Sequence, residues 1–177
     1  VQANDNWRLF SSVVYGGSLI LLYSSSTLYH SIHRIEIKRR LRQLDHAAIF
    51  ILIAGTYTPF TLVNLRDNWG LPLFGLIWLV ALVGVIIELA TALKYKKLSL
   101  GLYLGMGWLV IIAIQPMLNH VDTGGLLLLL AGGLSYSFGV IFYAWKRLFM
   151  HHAIWHLFVL GGSVLHFLAV YYYVLPV

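Results

Sequence analysis

Cysteine is absent from the 177 residues, acidic side chains number only six, and 10% of the chain is charged. Without cysteine there is no disulfide framework, and cysteine usage says nothing about the redox compartment. With so little charge, a 60% hydrophobic composition and a mean hydropathy of +0.82, the polar surface is too small to cover a soluble globule, which excludes that class. Strict apolar/polar alternation is missing as well, so a lipid-spanning β-barrel is excluded. No charged n-region with a small-residue cleavage site precedes the first apolar run, which opens close to Val1. The expectation is a chain that starts part-way through a longer reading frame, with an upstream segment missing.

What is present is a series of continuous apolar runs, each near the ~20 residues at 1.5 Å rise that cross a hydrocarbon core. Six are read, over residues 8–30, 46–65, 71–93, 98–119, 123–145 and 153–175. The fold class is therefore an all-α membrane protein, with residues 1–177 forming a single transmembrane helical bundle domain. Arg34, Lys38, Arg39, Arg40, Arg42, Lys94, Lys96, Lys97, Lys146 and Arg147 lie in the connections at one end of the spans, against Arg8 and Arg66 at the other. Ten against two in short loops places the basic ends in the cytoplasm and both visible termini outside. The same run from Arg34 to Arg42 could attract anionic headgroups. Nucleic acid is excluded as a partner, because these residues hug span ends and no recognition motif accompanies them.

Trp7, Trp69 and the Tyr171 to Tyr173 run fall at outer span ends, and Trp145 and Trp155 at inner ends, where amphipathic rings anchor. Gly101 and Gly105 have small-xxx-small spacing, read as close packing within the bundle, with homo-oligomerisation as the other use. Pro59 and Pro116 interrupt spans and are expected to kink them.

Ser26 and His30 are four apart, as are His152 and His156, so each pair shares a helical face. His30 closes the first span, His152 and His156 open the sixth, and Asp45 stands at the start of the second, all at the cytoplasmic level. A carboxylate and three imidazoles at the edge of hydrocarbon are expensive unless they face a bundle interior or a cavity. A divalent cation would offset that cost, and three neutral imidazoles with an open fourth position are the ligand set of catalytic zinc. Asp45 is then a partner or base for the metal's water and Ser26 a hydrogen-bonding group beside it. The alternative is that these histidines hydrogen-bond loops at the interface without metal. His46 and His151 point to other helix faces and read as interfacial, and His33 and His120 as loop residues. His166, deep in the sixth span, reads as a hydrogen bond to a neighbouring helix or a cavity lining. Glu88 reads as a functional candidate by its depth in a span, or as a partner of Lys94 or of an inward polar group.

The segments SSSTLYHS (Ser24 to Ser31), LDHAAIFILIAGTYTPF (Leu44 to Phe60) and HAIWHLFVLGGSVLHF (His152 to Phe167) resemble the three signature motifs of the progestin and adipoQ receptor family, most of all its bacterial haemolysin III branch. The resemblance covers essentially the whole chain. It implies a seven-helix fold with its N-terminus inside, of which this chain carries six helices, the first family helix lying upstream of Val1. It also implies Zn2+ held by His30, His152 and His156, with Asp45 contacting the metal's water and Ser26 as the motif serine. The family is grouped with membrane hydrolases, and its eukaryotic receptors resemble amidases of ceramide-like lipids. The expected function is a zinc-dependent hydrolase of a membrane-lipid amide or ester in a bacterial inner membrane, with membrane lipids as its partners. Two alternatives are a non-enzymatic receptor or regulator with structural zinc, and a channel or cytolysin. For the last the sequence shows neither a ring of charges nor an amphipathic lytic helix.

Overall fold

Helices account for the chain, as the apolar runs require. The computed structural model describes residues 2–66, 68–91 and 94–175. In chain order the elements are α1 (Gln2–Ser31), α2 (Ile35–Pro59) continuing into a π-helical turn (Phe60–Asn64), α3 (Gly70–Thr91), α4 (Lys96–Gly107), a 3-10 segment (Leu109–Ala113), α5 (Ile114–His120), α6 (Thr123–Ala144) and α7 (His151–Tyr173). Among the described residues, six stretches are long and apolar enough to cross a membrane: Asn6–Ser31, Ile35–Asn64, Gly70–Thr91, Lys97–His120, Thr123–Ala144 and His151–Tyr173. Five match the sequence reading within a few residues. The second does not, because α2 begins at Ile35 where a loop up to residue 45 was expected. The basic segment holds Glu, Lys, Arg, Leu and Gln, with neither glycine nor proline to stop a helix, and so it propagates. The connection from α1 shrinks to residues 32–34.

The described residues fall into two compact units, Val1–Ala113 and Ile114–Val177. In the first unit, α1 buries Ser11, Tyr15, Ser18, Leu22 and Ser25, a stripe spaced at helical period. The serines satisfy their own hydroxyls on carbonyls three residues back, for example Ser18 Oγ to the Tyr15 carbonyl at 2.7 Å. Their small size lets α2 approach, and a Cβ on Gly55 would collide with the Ser18 side chain. The core of this unit is Phe50, Ala54, Ile77, Ala81 and Met106. Gly84 of α3 is the floor on which the Phe50 ring lies, with no room for a Cβ. Leu79, Leu82 and Ile86 of α3 are more than half exposed, the pattern of a helix whose outer face meets lipid.

Both prolines mark breaks, as expected, but the breaks take specific forms. Proline has no N–H to offer the carbonyl four residues back, and after Pro59 the ladder widens to a π turn closed by Leu65 N–H to the Phe60 carbonyl at 2.9 Å. Hydroxyls of Thr56, Thr58 and Thr61 cover carbonyls through this stretch, donating to Leu52, Ala54 and Tyr57 at 2.8, 2.9 and 3.0 Å. Upstream of Pro116 the span between α4 and α5 passes through the 3-10 segment. There the Tyr57 hydroxyl is inserted into the ladder. It accepts from Val110 N–H at 2.9 Å and donates to the Met106 carbonyl at 2.8 Å, with the Gly107 carbonyl at 3.0 Å. Those two backbone groups are four residues apart and would bond each other directly in an uninterrupted helix.

In the second unit α6 and α7 pack closely through glycines seven apart. Gly125, Gly132 and Gly139 of α6 leave space for Tyr173, His166 and Trp155 with Phe158, respectively, and Gly162 of α7 does the same for Tyr136. Gly101 and Gly105 were expected to pack closely within the bundle. No described atom lies within 4 Å of where their Cβ atoms would be, and the close approaches seen are made by other glycines.

Candidate metal centre

The last turns of α1 carry Ser26, half-buried, and His30, exposed one turn later. Tyr29 sits beside His30 with ring centroids 4.6 Å apart, and Lys38 of α2 lies over the Tyr29 ring at 5.3 Å. Because the connection from α1 is short, α2 returns alongside α1 and brings Asp45 back to the level of Ser26. Asp45 lies within electrostatic reach of both Ser26 and His30. A carboxylate with a hydroxyl and an imidazole beside it is the ordinary surrounding of a group that takes and returns a proton. Three of the five expected site residues are thus brought together within the first unit.

The other two stand on the first turns of α7. Met150 precedes them in a left-handed conformation, φ 57° and ψ 22°, which turns the chain sharply out of the basic connection. His151 N–H and Ile154 N–H close the start of the helix on the Leu148 and Met150 carbonyls at 3.2 and 3.0 Å. His152 and His156 then share one face, both half-buried. Their Nε2 atoms are 3.2 Å apart and their rings stand almost perpendicular, at 86° with centroids 4.6 Å apart. Two nitrogens bound to one tetrahedral zinc at ~2.0–2.1 Å are separated by about 3.3 Å, so this pair fits a shared ion. The same separation also admits an N–H···N hydrogen bond when one ring carries its proton on Nε2. Tyr143 of α6 packs against His152 at 6.3 Å and against Trp155 at 5.3 Å, which fixes the ring. Sequence reading missed Tyr143, since no spacing links a residue on α6 to one on α7.

The remaining polar residues sort as follows. His166 bonds the Leu129 carbonyl of the neighbouring α6 through Nε2 at 3.1 Å, one of the two readings expected for it. His120, expected in a loop, is the last residue of α5 and bonds the Pro116 carbonyl through Nδ1 at 2.9 Å. Glu88, 1% exposed, meets the Tyr103 hydroxyl at 3.4 Å, an inward polar group, while Lys94 lies over the Tyr95 ring at 5.6 Å.

A family model described as haemolysin-III related matches residues 1–167. "Hemolysin-3" of Bacillus cereus is 50% identical over 163 residues, 92% of this chain and 74% of that protein. "Hemolysin-3 homolog" of Bacillus subtilis is 46% identical, covering 97% of this chain and 80% of that protein. The human "Monocyte to macrophage differentiation factor" is 32% identical over 97% of this chain and 73% of its own length. No solved structure matches the chain significantly.

Proposed function

The chain belongs to the haemolysin-III related family and is an integral membrane protein, and from that premise we propose that it is a zinc-dependent hydrolase of a membrane-lipid amide or ester. His30, His152 and His156 each offer a ring nitrogen suited to a divalent ion and are the residues that would hold it. The observation that carries the reading is the 3.2 Å separation of the His152 and His156 Nε2 atoms on perpendicular rings. Imidazole-rich sets favour zinc over magnesium or calcium. Bound zinc supplies Lewis-acid chemistry at neutral pH.

The chain's own residues supply the rest. Asp45 accepts the proton of the water that attacks the scissile carbonyl, and returns it to the departing amine or alcohol. Ser26, close beside that carboxylate, is the group that would steady it by hydrogen bonding while the water is held. A purely structural zinc closes its coordination with protein ligands and has no use for a carboxylate with a hydroxyl partner beside it. The site lies at the cytoplasmic face of the inner membrane, on the side where lysine and arginine concentrate, and draws its lipid from the surrounding leaflet.

The test is elemental analysis of the purified chain, followed by fatty-acid release from a ceramide-like amide and a phospholipid ester with and without chelator. Zinc near one equivalent with chelator-sensitive release is the expected result. Zinc without release supports a receptor or regulator held together by structural metal, and absence of metal refutes the centre. The name hemolysin borne by the two bacterial relatives favours a second reading, lysis of red cells, which haemoglobin release measures directly.

A further inference from the structure

Glu88 is the one acidic residue that α3 carries, it is 1% exposed, and among the described residues its Oε2 has no hydrogen-bond partner. Leucine would fill the same volume without the expense of a carboxyl in a membrane span, so the packing of the helix does not explain it. Its contact is with the Tyr103 hydroxyl of α4 at 3.4 Å through Oε1, and that hydroxyl also reaches the backbone carbonyl of His46 in α2 at 2.9 Å. Gln43, three residues earlier in α2, makes a second tie, its Nε2 donating to the Leu89 carbonyl of α3 at 3.2 Å. The two ties flank Asp45 in sequence, and Asp45 itself lies beside Ser26 of α1.

A helix turns by 100° per residue, so the rotation and depth at which α2 is held at residues 43 and 46 determine where residue 45 points. We infer that Glu88, Tyr103 and Gln43 form a brace that positions Asp45 against Ser26 of α1. Tyr103 keeps its ring against Phe50, with centroids 4.5 Å apart, whatever its hydroxyl does, and so anchors the brace to the core of the unit. The single hydroxyl proton goes first to the nearer His46 carbonyl, and Glu88 Oε1 shares it at longer range, which holds the hydroxyl at that height. The importance of Asp45 rests on the hydrolase reading above, but its placement can be measured without it.

Because the chain has no cysteine, the pair Ser26→Cys/Asp45→Cys contains the only two thiols. Oxidised in native membranes, the pair should cross-link readily. Adding Tyr103→Phe, which deletes the hydroxyl and leaves the ring, should slow the cross-link about tenfold, since disulfide closure needs Cβ atoms within ~3.5–4.5 Å. Glu88→Leu should slow it similarly and Glu88→Gln, which keeps an acceptor oxygen, should not. Trp78→Phe is the control: it removes the 3.1 Å bond to Thr58, more than three turns further along α2, and should leave the rate unchanged. Equal rates with and without Tyr103→Phe overturn the brace, as does equal slowing by Trp78→Phe. In the cysteine-free protein, Tyr103→Phe should retain zinc while losing lipid hydrolysis, and the loss should vanish in an Asp45→Asn background if the two act together. A chain that hydrolyses no lipid in any form refutes the hydrolase reading and leaves the cross-linking result standing.

Discussion

Replacing Tyr57 with phenylalanine removes one oxygen from the place where the span between α4 and α5 is broken. That oxygen relays a backbone bond, accepting from Val110 N–H at 2.9 Å and donating to Met106 at 2.8 Å. Its loss deprives the Val110 N–H of an acceptor and ends one donated bond, in a part of the chain where water is scarce. An orphaned backbone donor costs about 1–3 kcal/mol and a lost neutral bond ~0.5–1.5 kcal/mol, so Tyr57→Phe should destabilise the protein by about 1.5–4.5 kcal/mol. The phenyl ring stays in the gap and keeps the two backbone groups from closing on each other. Reversible unfolding in mixed micelles by increasing SDS fraction, followed by tryptophan fluorescence, measures the difference. A loss below ~0.5 kcal/mol would show that Val110 N–H reaches Met106 directly. The insertion would then be a passive filling of a break made elsewhere.

Asp45→Asn keeps all three imidazoles and should retain zinc, yet lower lipid hydrolysis by ~10²–10⁴ as expected for loss of a general base; unchanged turnover would remove Asp45 from the mechanism. His156→Ala should lose zinc together with hydrolysis, and its melting temperature should no longer rise when zinc is added, because an ion bound only by the folded state stabilises it by linkage. Topology is tested by single cysteines in this otherwise cysteine-free chain: one at Lys38 should resist a membrane-impermeant thiol reagent in intact cells, and one at Asp122 should label. The reverse pattern would invert the positive-inside reading.

The number of spans, their helical nature and the family were legible in the sequence, because each rests on a local or additive property. Hydropathy over twenty residues is a sum along the chain, and charge asymmetry is a count. The spacings S-x-x-x-H and H-x-x-x-H translate directly into one face of a helix, and the close Nε2 atoms of His152 and His156 follow from that spacing together with a suitable pair of rotamers. Pairing between helices is another matter. The approach of α6 to α7 is made by glycines at 125, 132 and 139, whose seven-residue spacing was present in the sequence, while Gly101 and Gly105, with the better-known spacing, have no described atom within 4 Å of where a Cβ would stand. A glycine signals only that a neighbour can come close, and which neighbour comes is decided by the faces the other helices present. The same holds for polar groups inside the spans. Glu88 and Lys94 are six residues apart and suggest an ion pair on paper, but the carboxyl points inward to Tyr103 of α4. Tyr57 reads as an ordinary aromatic until α4 and the 3-10 segment after it place the Met106 carbonyl and the Val110 N–H on either side of its hydroxyl. The sequence determined which segments are helices and which residues carry chemistry, since those follow from propensity and hydropathy. Tertiary structure alone decided the partners, since a hydrogen bond between helices depends on their rotation and depth, and neither is encoded in any one segment.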